Sequence, residues 1–306
     1  MNAIEAMEVE VRYQVQDLQK LDLPSVAKDC LFVGSGDSYV AALAAQYFSG
    51  SRSVCCYPID IIKNPLLAKG RNLFIVSISG DTKANILAAK IARKHNTVNT
   101  TTALTARPSS RLAKACDQTI WLRYRSTGII AAGTISFTVS MIESISLVTK
   151  LLLPSNIGKI YNQAEKQARQ VIHKINSKSG SYIILGNGQL YPIAKYGALK
   201  FNEVFGVRAV AYPSEEFCHA PLFSIKENDQ VIVMGDDGNK LSKRLNQEGF
   251  SSVHIGFKST GIELLLRSTF FMQLLVLKLA QKYGLTSCYF LKNKKLLRMS
   301  SDFIYR

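Results

Sequence analysis

Acidic residues are scarce in this chain: 22 Asp and Glu stand against 38 Lys and Arg, a formal net charge of +16 over 306 residues. The deficit points to an anionic partner, which by charge alone includes nucleic acid, a membrane surface or a small anion. Other absences narrow that choice. No helix-turn-helix pattern, zinc-finger spacing or basic-aromatic RNP-like motif is found, and the basic residues are dispersed, the densest run being Lys292 to Arg298. Nucleic-acid binding is therefore not the leading reading. No C-x-x-C pair and no His cluster accompany the six cysteines, Cys30, Cys55, Cys56, Cys116, Cys218 and Cys288. That excludes the common zinc and redox motifs and reads as buried, reduced thiols of a cytoplasmic protein. The N-terminus has no basic-then-apolar run, so no secretory signal is expected. Low-complexity tracts and Pro- or Gly-rich linkers are missing too, which argues against disorder.

One stretch, residues 128–148, is long enough to cross a bilayer. Glu143 and its central hydroxyls argue instead for a helix buried in a large core. With 47% apolar and 20% charged residues the chain reads as globular, and its length fits two domains. Short apolar runs alternate with helical stretches: CLFV, SVCCYPID, NLFIVSIS and TTALTA in the first half, then SYIILG, QVIVMG and SVHIGF in the second. Apolar strands separated by helices imply parallel sheets covered on both faces. The halves also share a pattern. Gly34, Gly36, Tyr39 and Ala42 superpose on Gly186, Gly188, Tyr191 and Ala194 at a fixed offset, as an internal duplication would produce. Residues 175–180 read as a short linker.

Two strands of the first half end in turns loaded with hydroxyls, Gly34-Ser35-Gly36-Asp37-Ser38 and Ser77-Ile78-Ser79-Gly80-Asp81-Thr82. Each leads into a helix. Such residues are commonly helix caps and nothing more. They also suit an anion: glycine allows close backbone approach, helix N-termini offer amide donors, and hydroxyls add donors without charge. Two such turns in one half favour the second reading. The matching strand of the second half, ending Val233-Met234-Gly235, has no serines. Neither turn is a dinucleotide fingerprint, because Tyr39 stands where the third glycine belongs, and no Gly-Lys-Ser/Thr makes a P-loop.

The runs FVGSGDSY, IVSISGDT, LGNGQLYPIAKYGALKFNEVFGVRA and VAYPSEEFCHAPL resemble the sugar isomerase (SIS) domain family. The similarity extends over essentially the whole chain and is nearest to the isomerase half of glucosamine-fructose-6-phosphate aminotransferase and to stand-alone amino-sugar-phosphate deaminases. The resemblance implies two three-layer α/β/α, flavodoxin-like SIS domains in tandem. They would occupy residues 25–155 and 156–306, after an N-terminal helix within residues 1–24. It implies a phosphorylated sugar or amino sugar bound by Ser35, Gly36, Ser38, Ser77, Ser79 and Thr82. Glu203 matches the family carboxylate that shuttles a proton between C1 and C2, and His219 matches the histidine that opens the sugar ring in a neighbouring subunit. A homodimer without metal or organic cofactor is implied.

Several departures qualify the match. Where the aminotransferase branch has a Schiff-base lysine, the best register places Met299, with Lys294 and Lys295 nearby. Residues 126–138 lack the family's Glu and Lys, Ala220 replaces the Gly after the His, and Asp37 replaces a Thr. No cysteine follows Met1, so a glutamine-hydrolysing domain is not expected. The expected activity is release of ammonia from an amino-sugar phosphate, as in glucosamine-6-phosphate deaminases. A plain aldose–ketose isomerase and a non-catalytic sugar-phosphate regulator are the alternatives.

Overall fold

The computed structural model describes residues 1–95, 98–175 and 180–306. Most of the expected linker therefore lies outside the described residues. The elements in chain order are α1 (Ala3–Asp17), β1 (Cys30–Val33), α2 (Asp37–Phe48), β2 (Val54–Cys56), α3 (Pro58–Lys63) and β3 (Asn72–Val76). They continue with α4 (Lys83–Lys94), β4 (Thr100–Thr105), α5 (Arg111–Ala115), β5 (Gln118–Trp121), α6 (Ile135–Val148) and α7 (Ile157–Val171). Next come β6 (Ser181–Gly186), α8 (Leu190–Phe205), β7 (Arg208–Tyr212), α9 (Ser214–Cys218), β8 (Gln230–Met234) and α10 (Asn239–Gln247). The last are β9 (Ser251–Ile255), α11 (Gly261–Lys282), α12 (Tyr289–Lys292) and α13 (Lys294–Tyr305).

Both sheets are parallel throughout. The first has the order β2-β1-β3-β4-β5 and the second β7-β6-β8-β9. In each, the chain moves outward from its first strand in one direction and then in the other, so strand order reverses beside β1 in one and beside β6 in the other. Parallel strands buried on both faces read as near-continuous apolar runs. β1 and β8 are buried along their whole length. In the first sheet Leu31, Val33, Leu73 and Ile75 face a cluster with Ile61, Ala88, Ala92 and Leu112 from α3, α4 and α5. Phe32 and Phe74, one residue out of phase, point to the opposite face and stack at 5.4 Å.

Packing divides the chain into two compact units. One holds the first sheet and comprises Lys20–Arg125, Ile135–Leu152 and Lys294–Arg306. The other holds the second sheet and comprises Met1–Gln19, Ser126–Thr134 and Leu153–Asn293. Membership follows contact and not chain order: α13 belongs with the first sheet and α1 with the second.

The apolar stretch at residues 128–148 is shorter as a helix than its hydropathy implies, because α6 begins only at Ile135. Its 14 residues span about 21 Å at 1.5 Å per residue. Among the described residues no helix is long and apolar enough to cross a membrane. All six cysteines are free, but the expectation that they are buried holds in full only for Cys30 and Cys288: Cys55, Cys56 and Cys116 are partly buried, and Cys218 is exposed. It lies in the solvent-facing end of α9, a five-residue helix that buries only Phe217.

Candidate functional site

The first hydroxyl turn is shaped by two glycines with different jobs. A Cβ on Gly34 would lie 2.8 Å from the Ser38 carbonyl carbon and the Tyr39 nitrogen, so only glycine lets strand β1 run so close to helix α2. Gly36 has φ +55° and ψ −131°, a backbone region nearly closed to other residues, and it caps α2 without a side chain. The start of α2 thus turns its amide end outward beside Ser35 and Ser38, a suitable seat for an anion.

The second turn is tighter and more polar inside. Ser77 is buried and its Oγ lies 3.4 Å from Thr82 Oγ1, while Ser79 Oγ accepts from the Asp81 N–H at 3.2 Å. Thr82 stands at the N-cap of α4, yet its hydroxyl makes no capping hydrogen bond. Asp81 is the one carboxylate of the turn. Arg111 Nε donates to its Oδ1 at 3.0 Å, Arg111 Nη2 donates to its carbonyl at 2.7 Å, and Arg107 lies 3.8 Å from Oδ2. Two guanidinium groups therefore offset the charge that would repel a phosphate.

The two turns belong together because their strands are neighbours. β1 pairs with β3 in register, Val33 opposite Ile75, and both chains then leave the same carboxyl edge of the sheet. This is the place where the strand order reverses, and crevices at such switch points are where parallel α/β sheets bind ligands. The structure brings Ser35, Gly36, Ser38, Ser77, Ser79 and Thr82 to that edge.

Glu203 lies on α8 in the unit of the second sheet, with its side chain 35% exposed. Lys200, one turn earlier and only 1% exposed, donates from Nζ to Glu203 Oε2 at 2.5 Å. A buried ammonium needs a counter-charge, and the partly exposed Glu203 carboxylate supplies it. Lys200 Nζ also lies 5.2 Å from the centre of the Tyr196 ring, and the Tyr196 hydroxyl donates to the Gly133 carbonyl at 2.7 Å. Tyr196, Lys200 and Glu203 thus share one face of α8, at the i, i+4, i+7 spacing. The buried thiol of Cys288 sits close by. Its pKa is raised, first by burial and also by the Glu203 charge, against a backbone hydrogen bond with Ala132 and the opposing charge of Lys200. His219 is exposed at the junction after α9, where its own N–H donates to the Glu216 carbonyl at 3.2 Å.

The SIS domain family model matches residues 25–149 and 175–250, two segments that together make up most of the chain. This chain belongs to the SIS domain family. Among curated proteins it is similar to glutamine–fructose-6-phosphate aminotransferase of Buchnera aphidicola, with 26% identity over 233 residues, covering 69% of this chain and 38% of the relative. The chain thus spans well under half the length of the curated relatives it matches. Among solved structures, its fold is similar to a glucosamine-6-phosphate deaminase from Thermotoga maritima, with TM-score 0.73 and 21% identity over 93% of this chain and 94% of that one. The C-terminal domain of glucosamine-fructose-6-phosphate aminotransferase from Francisella tularensis gives TM-score 0.70, with 21% identity and 92% and 94% coverage.

Three features of this SIS protein were not singled out in its sequence. Lys200 lies inside the segment that marks Glu203, and its spacing of three residues was the available signal. Arg107 and Arg111, which offset Asp81, lie far along the chain and carry no local mark. Among the described residues no cluster of three or more His, Cys, Asp or Glu side chains could hold a metal ion.

Proposed function

We propose that this SIS protein is an amino-sugar-phosphate isomerase and deaminase of the glucosamine-6-phosphate type. The observation that carries the reading is the pairing of two hydroxyl-lined turns at the switch point of the first sheet. Ser35, Gly36, Ser38, Ser77, Ser79 and Thr82 hold the phosphate through hydroxyl and amide donors. Glu203, with its fixed counter-charge Lys200, takes the proton from C2 of the open-chain amino aldose and returns it to C1. The resulting C2 imine adds water and loses ammonia, so amino-sugar phosphate plus water becomes ketose phosphate plus ammonia. His219 opens the ring by moving the anomeric hydroxyl proton to the ring oxygen. The protein acts as a homodimer in the cytoplasm, with His219 serving the neighbouring subunit. Support for that arrangement is the exposure of the His219 loop, including Phe223 at 88%.

The test is turnover of glucosamine 6-phosphate, read as ammonia and fructose 6-phosphate. The expected result is catalysis that Glu203→Gln lowers by about 10²–10⁴-fold while calorimetry still detects sugar-phosphate binding. Undiminished turnover in Glu203→Gln refutes the assigned role. Tight binding by the wild type without turnover of any hexose or hexosamine phosphate would instead make the protein a sugar-phosphate regulator.

A further inference from the structure

Residues Ser126–Thr134 form neither helix nor strand and contain no carboxylate, yet they are held on several sides within the unit of the second sheet. Irregular backbone has no ladder to satisfy it, and here the Gly128 and Ile129 N–H groups donate to the segment's own Ser126 Oγ and Thr127 Oγ1. Helix α1 supplies the next layer of partners. Glu10, 9% exposed, accepts at Oε1 from Ser126 Oγ, Thr127 N and Thr127 Oγ1, each at 3.1 Å, and at Oε2 from Thr134 Oγ1 at 3.4 Å. One turn on, the buried Gln14 donates from Nε2 to Gln273 Oε1 at 2.8 Å, and Gln273 donates to the Thr134 carbonyl at 3.1 Å. Both ends of the segment are thereby tied to one face of α1.

The tied segment in turn touches the helix that carries Glu203. The Gly133 carbonyl accepts the Tyr196 hydroxyl, the Tyr196 ring flanks the Lys200 ammonium, and Lys200 donates to Glu203. Next to Gly133, the Ala132 backbone hydrogen-bonds the Cys288 thiol, which lies within electrostatic range of both Lys200 and Glu203. We propose that Glu10, assisted by Gln14, is a positioning residue for Glu203: it fixes the Ser126–Thr134 segment, so that the Gly133 carbonyl holds Tyr196, and through it Lys200, in place against the Glu203 carboxylate. The inference rests on the reading that Glu203 moves the substrate proton. A carboxylate serves here because both of its oxygens accept and neither donates, Oε1 taking three donors and Oε2 a fourth.

The test is a double-mutant cycle in the full-length protein, with glucosamine 6-phosphate as substrate. Glu10→Ala is expected to lower kcat about tenfold with KM within twofold of wild type, since misplacing the reacting group affects the chemical step and not phosphate capture. Glu10→Gln keeps an acceptor oxygen and should recover kcat to within about threefold of wild type. Tyr196→Phe removes the hydroxyl link to Gly133 while keeping the ring, so it should reproduce the kcat loss, and the double variant should lose no more than either single one. Multiplying effects in the double variant, normal kcat in Glu10→Ala, or a loss explained by the unfolded fraction would each overturn the proposal. Amide hydrogen exchange gives a readout independent of turnover. Peptides covering residues 126–134 and 196–205 should exchange faster in Glu10→Ala and not in Glu10→Gln, and unchanged exchange overturns the link even if the protein turns over no sugar. Failure of the Glu203 assignment shows separately, as full activity of Glu203→Gln.

Discussion

The two sheets have the same strand order around their switch points, and the two turns there have opposite chemistry. After β1 and β3 come Ser35, Ser38, Ser79 and Thr82, with two carboxylates, Asp37 at the start of α2 and Asp81, the latter offset by arginines. After β6 and β8 come Asn187, Asp236 and Asp237, and Asn187 Nδ2 donates to Asp237 Oδ2 at 2.6 Å. The Asn187 Oδ1 is taken as well, by the Ser214 N–H at 2.8 Å. The backbone is nearly identical in design: Gly36 has φ +55° and Gly188 φ +53°, and a Cβ on Gly186 would lie 2.7 Å from the Leu190 carbonyl oxygen, much as on Gly34. A duplicated scaffold thus keeps its turn geometry while its side chains differ. Hydroxyls prevail at one switch point; at the other an acid closes on Asn187.

The sharpest way to break this comparison is to give the first turn the charge of the second. Ser79→Asp should weaken hexose-phosphate binding by at least about a hundredfold in calorimetry, since like charges near 4 Å cost about 4 kcal/mol at a protein surface. Asp237→Asn, in the second turn, should leave that affinity within twofold. Equal effects of the two would erase the distinction between the switch points.

The long helices carry the comparison further. In α11 the buried Lys278 is paired, its Nζ 2.9 Å from Glu165 Oε1. Burial pushes Glu165 up, and the hydrogen bonds and charges of Lys278 and Arg169 outweigh it, leaving Glu165 below its ordinary value. In α6 the buried Glu143 has no hydrogen-bond partner at Oε2 among the described residues. Burial, with a contribution from Asp22, raises its pKa from 4.5 to about 7. The unfolded chain releases this proton first, so the stability attached to protonated Glu143 is complete below about 4.5 and is lost as pH rises to about 7. At roughly 1.4 kcal/mol per pH unit the loss is roughly 3 kcal/mol. Glu143→Gln should therefore stabilise the protein by about 2 kcal/mol at pH 8 and flatten denaturant midpoints across that window. A variant that tracks wild type from pH 4.5 to 8 would refute the buried-acid account.

The smallest expected effect separates conformation from binding. Gly36→Ala and Gly188→Ala should each cost about 1–2 kcal/mol of stability, because both force an alanine to positive φ. Only Gly36→Ala should also raise KM for the sugar phosphate. If both do so, the second turn shares in the binding.

Much of this organisation was legible in the chain. The paired glycines announced the duplication, because a close strand–helix approach and a positive φ each exclude other residues whatever the surroundings. The hydroxyl turns were visible as clusters, but their meaning was not, since a cap and a phosphate donor use the same side chains. That β1 and β3 lie side by side, which no local pattern shows, brings the two clusters to one sheet edge and supports the proposed phosphate site. The start of α6 was misplaced by seven residues because the apolar run continues through a segment held by side chains from α1. Glu10 looked like one more acid in an amphipathic helix, and its four partners lie 116 to 124 residues away.

The amino-acid order by itself determined the local conformations: parallel-sheet strands, glycine turns, the hydroxyl supply and the apolar helices. These follow from the preferences of neighbouring residues and from alternation over a few positions. Only the tertiary structure decided which turns share an edge, that α13 packs with the first sheet and α1 with the second, and which arginines offset Asp81. Those outcomes depend on contacts between residues far apart in the chain, where no spacing rule operates and burial and charge pairing select the partners.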